Sequence, residues 1–269
     1  MSTVPTESPQ SRPVGHDDDR QFTRTLVNGM ALLSCFQEGD AMLANRDFVA
    51  RTGLTKANVS RLAFTLVTLG FLRLDAASGR YLLGSPVLSM GYPLLASMHI
   101  RQIARPYMLE MADDLDATVS LGVRDRSQML YVETSRGAMS ETRLADIGTA
   151  LPLLGSAMGM AWLAAASVYD RNRAVNQALV AAGYHGRRDS FQRIARGLKD
   201  IALDEYASLV DGPSGSLTVA VALRSTVDSE IVVFDCTALQ ASMPTTDVNM
   251  FGRRLMLMAR SVEGAMSIR

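Results

Sequence analysis

The chain has 269 residues, more than the roughly 100–150 residues of an ordinary domain, so two domains are expected. Hydrophobic residues make up 48% of it, which argues against a disordered chain, and the formal net charge is zero. The two cysteines, Cys35 and Cys236, are far apart and show no C-x-x-C spacing, which argues against a disulfide framework and a zinc site and fits a reducing cytoplasm.

Residues 1–21 mix proline, serine, threonine and a run of aspartates, and we expect a disordered tail without a signal peptide. Apolar residues then recur at three- and four-residue steps, which predicts a first helix that packs through Leu26 and Met30. A shorter second helix is predicted over residues 45–52. Gly53 follows it and suits a tight turn, because glycine adopts positive φ without strain.

A third helix is predicted to begin at the N-cap residue Thr55 and to stop at Gly70. At 100° per residue, one side of this helix carries the residues expected in the core, namely Val59, Leu62, Ala63, Leu66 and Leu69. Two short strands, "FLRL" and "RYLL", follow and are joined by the turn-rich "DAASG". Three helices and a two-stranded hairpin predict a winged helix-turn-helix domain over residues 22–84.

A helix with proline in its first turn is expected over residues 85–99 as a linker between the domains. Beyond it, over residues 100–269, helical and strand patterns mix. Helices are expected near 100–115, 156–167, 170–182, 190–200 and 245–266, and strands near 118–123, 129–134, 142–147 and in "SLTVAVALR" and "EIVVFDC". This mixture predicts an α+β sensor-like domain. The longest apolar-looking segment, residues 151–166, is interrupted by proline and glycine and is too short for a membrane span.

The first domain differs in charge from the rest of the chain. Residues 23–84 hold seven basic and four acidic residues, a net charge of +3. Arg61 and Asn58 on the third helix are residue types that pair with guanine and adenine in the major groove. The candidate DNA-binding residues are Thr55, Lys56, Ala57, Asn58, Ser60 and Arg61 on the helix, with Arg73 and Arg80 on the wing strands. The alternative is a winged helix that docks a protein. The short second helix, glycine turn, polar first turn and basic wing together favour DNA.

Several segments also resemble the IclR family of bacterial transcriptional regulators. "RTLVNGMALLSCF", "DFVARTGLTKANVSRLAFTLVTLGFL" and "SGRYLLG" resemble its DNA-binding domain in order and spacing. "IRQIARPYMLEMADDLDATVSLGVRDRSQMLYVET" and "IGTALPLLGSAMGMAWLA" resemble the start and the signature loop of its GAF-like effector-binding domain. The resemblance implies a cytoplasmic, ligand-responsive regulator of catabolic genes. Pairing of recognition helices on a palindromic site further suggests a homodimer or homotetramer.

The resemblance also implies a small-molecule effector, often a carboxylic acid, near the N-terminus of the helix after the signature loop. Free N–H groups and the helix dipole favour an anion there. The matching residues are Gly155, Ser156 and Ala157, although a helix start packed on a sheet explains them equally well. On the late strands the sequence offers Leu217, Thr218, Phe234 and Cys236, with Ala222 replacing a proline common in the family. These residues would make a largely apolar pocket, so we expect the effector to be an aromatic or largely apolar acid.

Other features receive simpler interpretations. Asp204 and Glu205 lie where the family tends to carry acidic residues beside the pocket, but a solvated loop explains them better. The sequence lacks the G-x-x-x-x-G-K-[ST], G-x-S-x-G and H-E-x-x-H motifs, and its three histidines are scattered, so neither an enzyme nor a metal or other cofactor is expected. Phe64 projects toward the edge of the exposed helix face, and the sequence leaves open whether it packs on the wing or approaches DNA.

Overall fold

The computed structural model of the chain describes residues 21–37, 39–138, 146–183, 187–211, 215–239 and 248–267, without the side chains of 187–190 and 193. The chain forms two compact units, Met1–Ser97 and Met98–Arg269, whose residues contact mainly others of the same unit. In the part of the chain just listed, no helix is long and apolar enough to cross a membrane.

The first unit is the expected winged helix-turn-helix. Its elements in chain order are α1 (Arg24–Leu33), α2 (Asn45–Thr52), α3 (Lys56–Thr68), β1 (Leu72–Leu74), β2 (Tyr81–Leu83) and α4 (Pro86–Ser97). The two strands pair antiparallel, with Arg73 opposite Leu82. The segment before α2 joins this hairpin, because Leu43 and Tyr81 exchange backbone hydrogen bonds of 2.9 and 2.8 Å. The wing is thereby fixed to the helices.

The core of the first unit lies between α1, α2, α3 and β1. Its buried residues are Leu32, Cys35, Leu43, Phe48, Val59, Leu62, Ala63, Leu66 and Leu72. Three apolar residues expected in the core are exposed instead: Leu26 by 65%, Met30 by 46% and Leu69 by 59%. In α1 the face that packs contains Leu32. Leu69 follows the last residue of α3 as its C-cap and lies beyond the buried stripe of the helix.

The second unit is built around one six-stranded antiparallel sheet. Its elements are α5 (His99–Leu115), β3 (Thr118–Asp125), β4 (Gln128–Arg136), β5 (Ala150–Pro152), α6 (Ala157–Ala165), α7 (Val168–Ala181), α8 (Arg187–Asp204), β6 (Ala207–Asp211), β7 (Ser216–Ala222), β8 (Val232–Leu239) and α9 (Val248–Ser267). The strand order is β5-β4-β3-β8-β7-β6. The predicted α+β class is confirmed. Strand β6 was not predicted, and most of the strand expected at 142–147 lies outside the described residues.

The two faces of this sheet carry different layers. On one face, Tyr131, Ala220 and Val233 belong to a cluster with buried residues of α6, α7 and α8, including Met158 and Trp162. Side chains alternate between faces along a strand, so the neighbours of these strand residues point to the other side. That side meets α5 and α9, which contact strands β3, β4, β7 and β8.

Candidate DNA-binding surface and ligand cavity

The N-terminus of α3 is held by its own cap. Thr55 has extended backbone angles, and its Oγ1 accepts a 3.3 Å hydrogen bond from the N–H of Asn58. Such a cap satisfies one of the N–H groups that the first helical turn leaves without a partner. Lys56 and Ala57 in that first turn are exposed, whereas Asn58 is half-buried. Thr55 therefore has a structural role in addition to its predicted place at the DNA.

The exposed face of α3 is also braced by α2. Ser60 is exposed, and its Oγ accepts a 2.9 Å hydrogen bond from Nδ2 of Asn45, the first residue of α2. The next residue along the helix is Arg61, whose side chain is also exposed. Sequence reasoning did not identify Asn45, because a contact between residues fifteen positions apart on different helices leaves no periodic signal. Arg61 and Lys56 therefore stand on a helix whose position against α2 is fixed.

Phe64 lies on this exposed face and not on the wing. Its side chain is 73% exposed. It lines a shallow depression together with Thr25, Asn58, Ser60, Arg61, Leu62 and Thr65. The helical projection explains this, because Phe64 lies almost opposite the buried set of Val59, Ala63 and Leu66.

The wing presents the two predicted arginines to solvent. Arg73 lies on β1 and Arg80 immediately precedes β2, and both are exposed. Asp75 organises the turn between the strands, since its Oδ2 accepts hydrogen bonds from the N–H and the hydroxyl of Ser78 at 2.8 and 2.5 Å. Gly79 adopts a φ of 66° there, a conformation that other residues rarely take. The hairpin is thus a defined turn that carries a cation on each side.

Arg51, one of the seven basic residues in the +3 charge count, has a structural role. Arg51 of α2 donates a 2.6 Å hydrogen bond to the backbone oxygen of Cys35 and pairs with the carboxylate of Asp40. The hydrogen bond from Arg51 lowers the pKa of Asp40 below its ordinary value. Arg51 therefore closes the loop between α1 and α2.

In the second unit, a cavity of about 270 Å³ opens at the N-terminus of α6. Its lining is mainly apolar with a few polar groups: Leu154, Gly155, Ser156, Ala157, Met160, Ile194, Arg196, Gly197, Asp200, Ser208 and Leu209. All three residues predicted from the signature loop belong to this lining. They come together with α8 and with the unpredicted strand β6.

The start of α6 determines which groups face the cavity. Oγ of Ser156 accepts a 3.0 Å hydrogen bond from the N–H of Gly159 and donates one of 2.8 Å to the oxygen of Pro152. The Ser156 hydroxyl is therefore engaged in capping the helix. The N–H groups of Ala157 and Met158 are the first in the helix, where α-helical geometry provides no acceptor. Together with the helix dipole they favour an anion at this end.

The three predicted residues on the late strands do not join this cavity. Leu217, Phe234 and Cys236 are fully buried at 0% exposure, and none of them lines it. Phe234 is adjacent to Val233, which packs on the α6 side, so the alternation of the strand turns Phe234 and Cys236 to the opposite face. Burial and the charge of Asp235 raise the pKa of the Cys236 thiol, and Arg254 of α9 opposes that shift.

A buried polar pair occupies the α6 side of the sheet instead. The hydroxyl of Tyr131 on β4 donates a 2.5 Å hydrogen bond to Oδ2 of Asp235 on β8, which is 1% exposed. The second oxygen, Oδ1, has no hydrogen-bond partner among the residues that the structure describes. Burial raises the pKa of Asp235 to about 7, and the hydrogen bond from Tyr131 limits that rise. This carboxyl group is therefore much harder to ionise than an exposed aspartate.

The acidic pair considered from the sequence lies elsewhere. Asp204 is the last residue of α8, and Glu205 follows it with a φ of 64°. Both are exposed, and Glu205 lies 3.9 Å from Arg224 and 3.6 Å from Arg260. Neither lines the cavity: Glu205 belongs to a surface ion network, and Asp204 lies at the exposed end of α8. In the described ranges, no group of three or more histidine, cysteine, aspartate or glutamate residues could hold a metal ion.

Comparison with known proteins finds relatives of both units. The family model of the IclR helix-turn-helix domain matches residues 25–76, and that of the bacterial transcriptional regulator IclR C-terminal region matches residues 93–182. The HTH-type transcriptional regulator TsaQ1/TsaQ2 of Comamonas testosteroni is 37% identical over 156 residues, or 57% of this chain and 56% of that protein. The chain thus spans little more than half the length of this curated relative.

Solved structures match nearly the whole chain. An IclR family transcriptional regulator from Brucella abortus is 32% identical, with a TM-score of 0.75 over 98% of this chain and 99% of its own. An IclR homologue from Microbacterium hydrocarbonoxydans, solved in complex with 4-hydroxybenzoate, is 18% identical, with a TM-score of 0.70 over 91% of this chain and 100% of its own. At that identity the second match shows a shared fold alone.

Proposed function

The chain belongs to the IclR family of bacterial transcriptional regulators, which are not enzymes, and on that premise we propose how it works. In this proposal α3 and the β1–β2 hairpin bind operator DNA. A small organic acid in the second unit changes that binding. The regulated genes encode catabolic enzymes that act on this acid or its precursors. The protein acts in the cytoplasm, where its operator lies.

The exposed face of α3 is the observation that carries the DNA-binding proposal. Lys56, Ala57 and Arg61 present a narrow surface of small and cationic groups, and Arg73 and Arg80 stand exposed on the adjoining wing. A helix of this kind fits the major groove, and arginine can donate two hydrogen bonds to the O6 and N7 atoms of guanine. Thr55, Asn58 and Ser60 would support this surface from its edge.

Salt dependence distinguishes DNA binding from protein docking. The full chain is titrated against duplex fragments from upstream of its own gene and of neighbouring genes, at several salt concentrations. Contacts with phosphates release counterions, so affinity should fall steeply as salt rises and a footprint should appear on one fragment. Absence of both would leave docking of a protein as the function of the winged helix.

The cavity at the start of α6 supports an acid with an apolar body as effector. The apolar walls of the cavity are formed by Leu154, Met160, Ile194 and Leu209. The first N–H groups of α6 and the side chain of Arg196 would bind the carboxylate. The relative solved with 4-hydroxybenzoate shows that a protein of this fold binds an aromatic acid. We expect benzoate-type acids to bind the full chain more tightly than pyruvate or glyoxylate. The reverse order in calorimetric titrations would contradict this.

Helix α4 supports a homodimer or homotetramer. In this twelve-residue helix, "PVLSMGYPLLAS", no residue is charged and none is buried. Leu88, Met90, Tyr92 and Leu94 are 73, 59, 64 and 58% exposed. An uncharged helix with several large apolar side chains exposed to solvent is a candidate interaction site. A second copy of the chain is the proposed partner, because two recognition helices are needed for a palindromic operator.

A further inference from the structure

We propose that Phe64 is a specificity-determining residue that contacts the 5-methyl group of a thymine in the major groove. This inference rests on the proposed DNA binding. It adds an apolar contact with a base to the hydrogen bonds with a base that are proposed for Arg61. Of the chemical marks in the major groove, the thymine methyl is the apolar one, and aromatic side chains are among those that contact it.

The position of Phe64 on α3 supports this assignment. At 100° per residue, Phe64 is within about 60° of both Ala57 and Arg61, and it is 73% exposed. Each residue advances about 1.5 Å along a helix, so Phe64 lies about 4.5 Å beyond Arg61. Base pairs stack about 3.4 Å apart. Phe64 would therefore reach a base pair within about two steps of the one that Arg61 contacts.

The threonines beside Phe64 make this end of the helix face apolar. The hydroxyl of Thr65 donates a 3.1 Å hydrogen bond to the oxygen of Arg61, and that of Thr68 donates one of 2.9 Å to the oxygen of Phe64. Hydroxyl groups turned back to the helix in this way leave their methyl groups to face outward. Beyond Arg61, the face thus offers a ring and two methyl groups in place of hydrogen-bond donors.

The surroundings favour DNA over a protein as the partner of Phe64. A protein-docking surface is a contiguous apolar patch, whereas Phe64 stands beside the polar side chains of Asn58, Ser60 and Arg61. Exposed apolar side chains are grouped instead on α4, where Leu88, Met90, Tyr92 and Leu94 are all exposed. A single ring beside a cation on a groove-sized helix is suited to base edges and deoxyribose.

The test uses the full chain and DNA selected by it from a random duplex pool. DNA is selected in parallel by Phe64→Ala and by Phe64→Leu. Leu69→Ala is the control, since Leu69 is an exposed apolar residue at the end of the same helix. Each thymine of the wild-type consensus is then replaced by deoxyuridine, which removes only the methyl group. Affinities of all four proteins are measured for every substituted duplex.

At one thymine in each half-site, the wild-type chain and Leu69→Ala should lose roughly fourfold in affinity per methyl group removed. Phe64→Ala should show no such loss and no thymine preference there, and Phe64→Leu should retain part of both. An unchanged consensus and an unchanged deoxyuridine effect in Phe64→Ala would overturn the assignment. A change in the sedimentation of Phe64→Ala with its base preference unchanged would also overturn the assignment, because it would place Phe64 in a protein contact. If the wild-type chain selects no motif, the proposed DNA binding itself fails.

Discussion

Tyr131 and Asp235 are 104 positions apart in the chain, yet the Tyr131 hydroxyl donates a 2.5 Å hydrogen bond to the buried carboxyl group of Asp235. The two residues lie on β4 and β8, on the sheet face that packs against α6. Because Asp235 is 1% exposed, its charged form is strongly disfavoured, and its pKa rises to about 7. This pair makes the stability of the second unit depend on pH.

Asp235→Asn should remove that dependence. In the unfolded chain the carboxyl group loses its proton near pH 4, whereas the folded chain retains it to about pH 7. The stabilisation by the protonated form is therefore complete below about pH 4 and is lost as pH rises, by up to roughly 1.4 kcal/mol per unit, until about pH 7. We expect the free energy of unfolding of the variant, relative to wild type, to increase from about pH 5 to about pH 8 in urea titrations.

The control for this prediction is Asp228→Asn, at an exposed aspartate. It should follow the wild-type pH profile. A constant difference between Asp235→Asn and wild type over the same range would mean that Asp235 is ionised throughout and that its burial is not the dominant influence.

Gly53→Ala should destabilise the first unit by about 1 kcal/mol, because Gly53 ends α2 with a φ of 68°. A Cβ atom added there would meet no heavy atom within 4 Å, so the expected cost is in the backbone alone. Gly91→Ala in α4 is the matched control. Gly91 has equal space but no positive φ, and alanine should be neutral or stabilising there by about 0.5–1 kcal/mol. Equal effects in chemical denaturation would contradict the backbone explanation.

Local patterns were sufficient to predict the winged helix. The three-residue turn at Gly53, the cap at Thr55 and the apolar stripe on α3 are each determined by residues within two helical turns. The candidate DNA-binding residues on α3 follow from that stripe, since they occupy the other side of the same helix. Phe64 could not be assigned from the stripe alone, because an apolar residue on the exposed side is compatible with a packed wing or a free surface.

The sheet of the second unit could not be predicted to the same depth. Whether Phe234 or Asp235 faces α6 depends on the register of β8 against β7, and a shift of one residue exchanges the faces. Both residues lie in a run that is buried on both sides, so the sequence shows no alternation of polar and apolar residues. The wall of the cavity formed by Ser208 and Leu209 was missed for a similar reason, because β6 is short and follows a helix directly.

Leu88→Glu combined with Leu94→Glu should weaken self-association of the full chain. These two leucines are 73 and 58% exposed on a helix without charged residues, and a carboxylate on each copy would repel its counterpart in a symmetric contact. Sedimentation equilibrium should show a lower average mass at a given concentration. Leu203→Glu, at a leucine 83% exposed on α8, is the control and should sediment like wild type. Unchanged mass in the double variant would remove α4 from the interface.

Arg61→Ala should reduce specific binding by roughly 1–3 kcal/mol and relax the preference at one base pair if Arg61 reads a guanine. Lys56→Ala provides the contrast, because Lys56 at the first turn of α3 is placed for a phosphate contact. It should weaken binding to all sequences alike and reduce the slope of affinity against salt by about one. Both are measured by fluorescence anisotropy with selected and scrambled duplexes. Uniform weakening in Arg61→Ala would reassign that residue to the DNA backbone.

Arg196→Ala should weaken binding of an aromatic acid several-fold, because Arg196 lines the cavity at the N-terminus of α6, where the proposed carboxylate lies. A hydrogen bond between charged groups contributes roughly 1.5–3 kcal/mol when desolvated, and exposure of the Arg196 side chain reduces that toward about 1 kcal/mol. Lys199→Ala removes the same charge from the same helix at an exposed residue that does not line this cavity. Benzoate titrated calorimetrically into each full-length variant should therefore separate the two. Equal weakening in both would indicate long-range attraction by the basic face of α8, and no weakening in either would leave the α6 N–H groups as the anion site without help from Arg196.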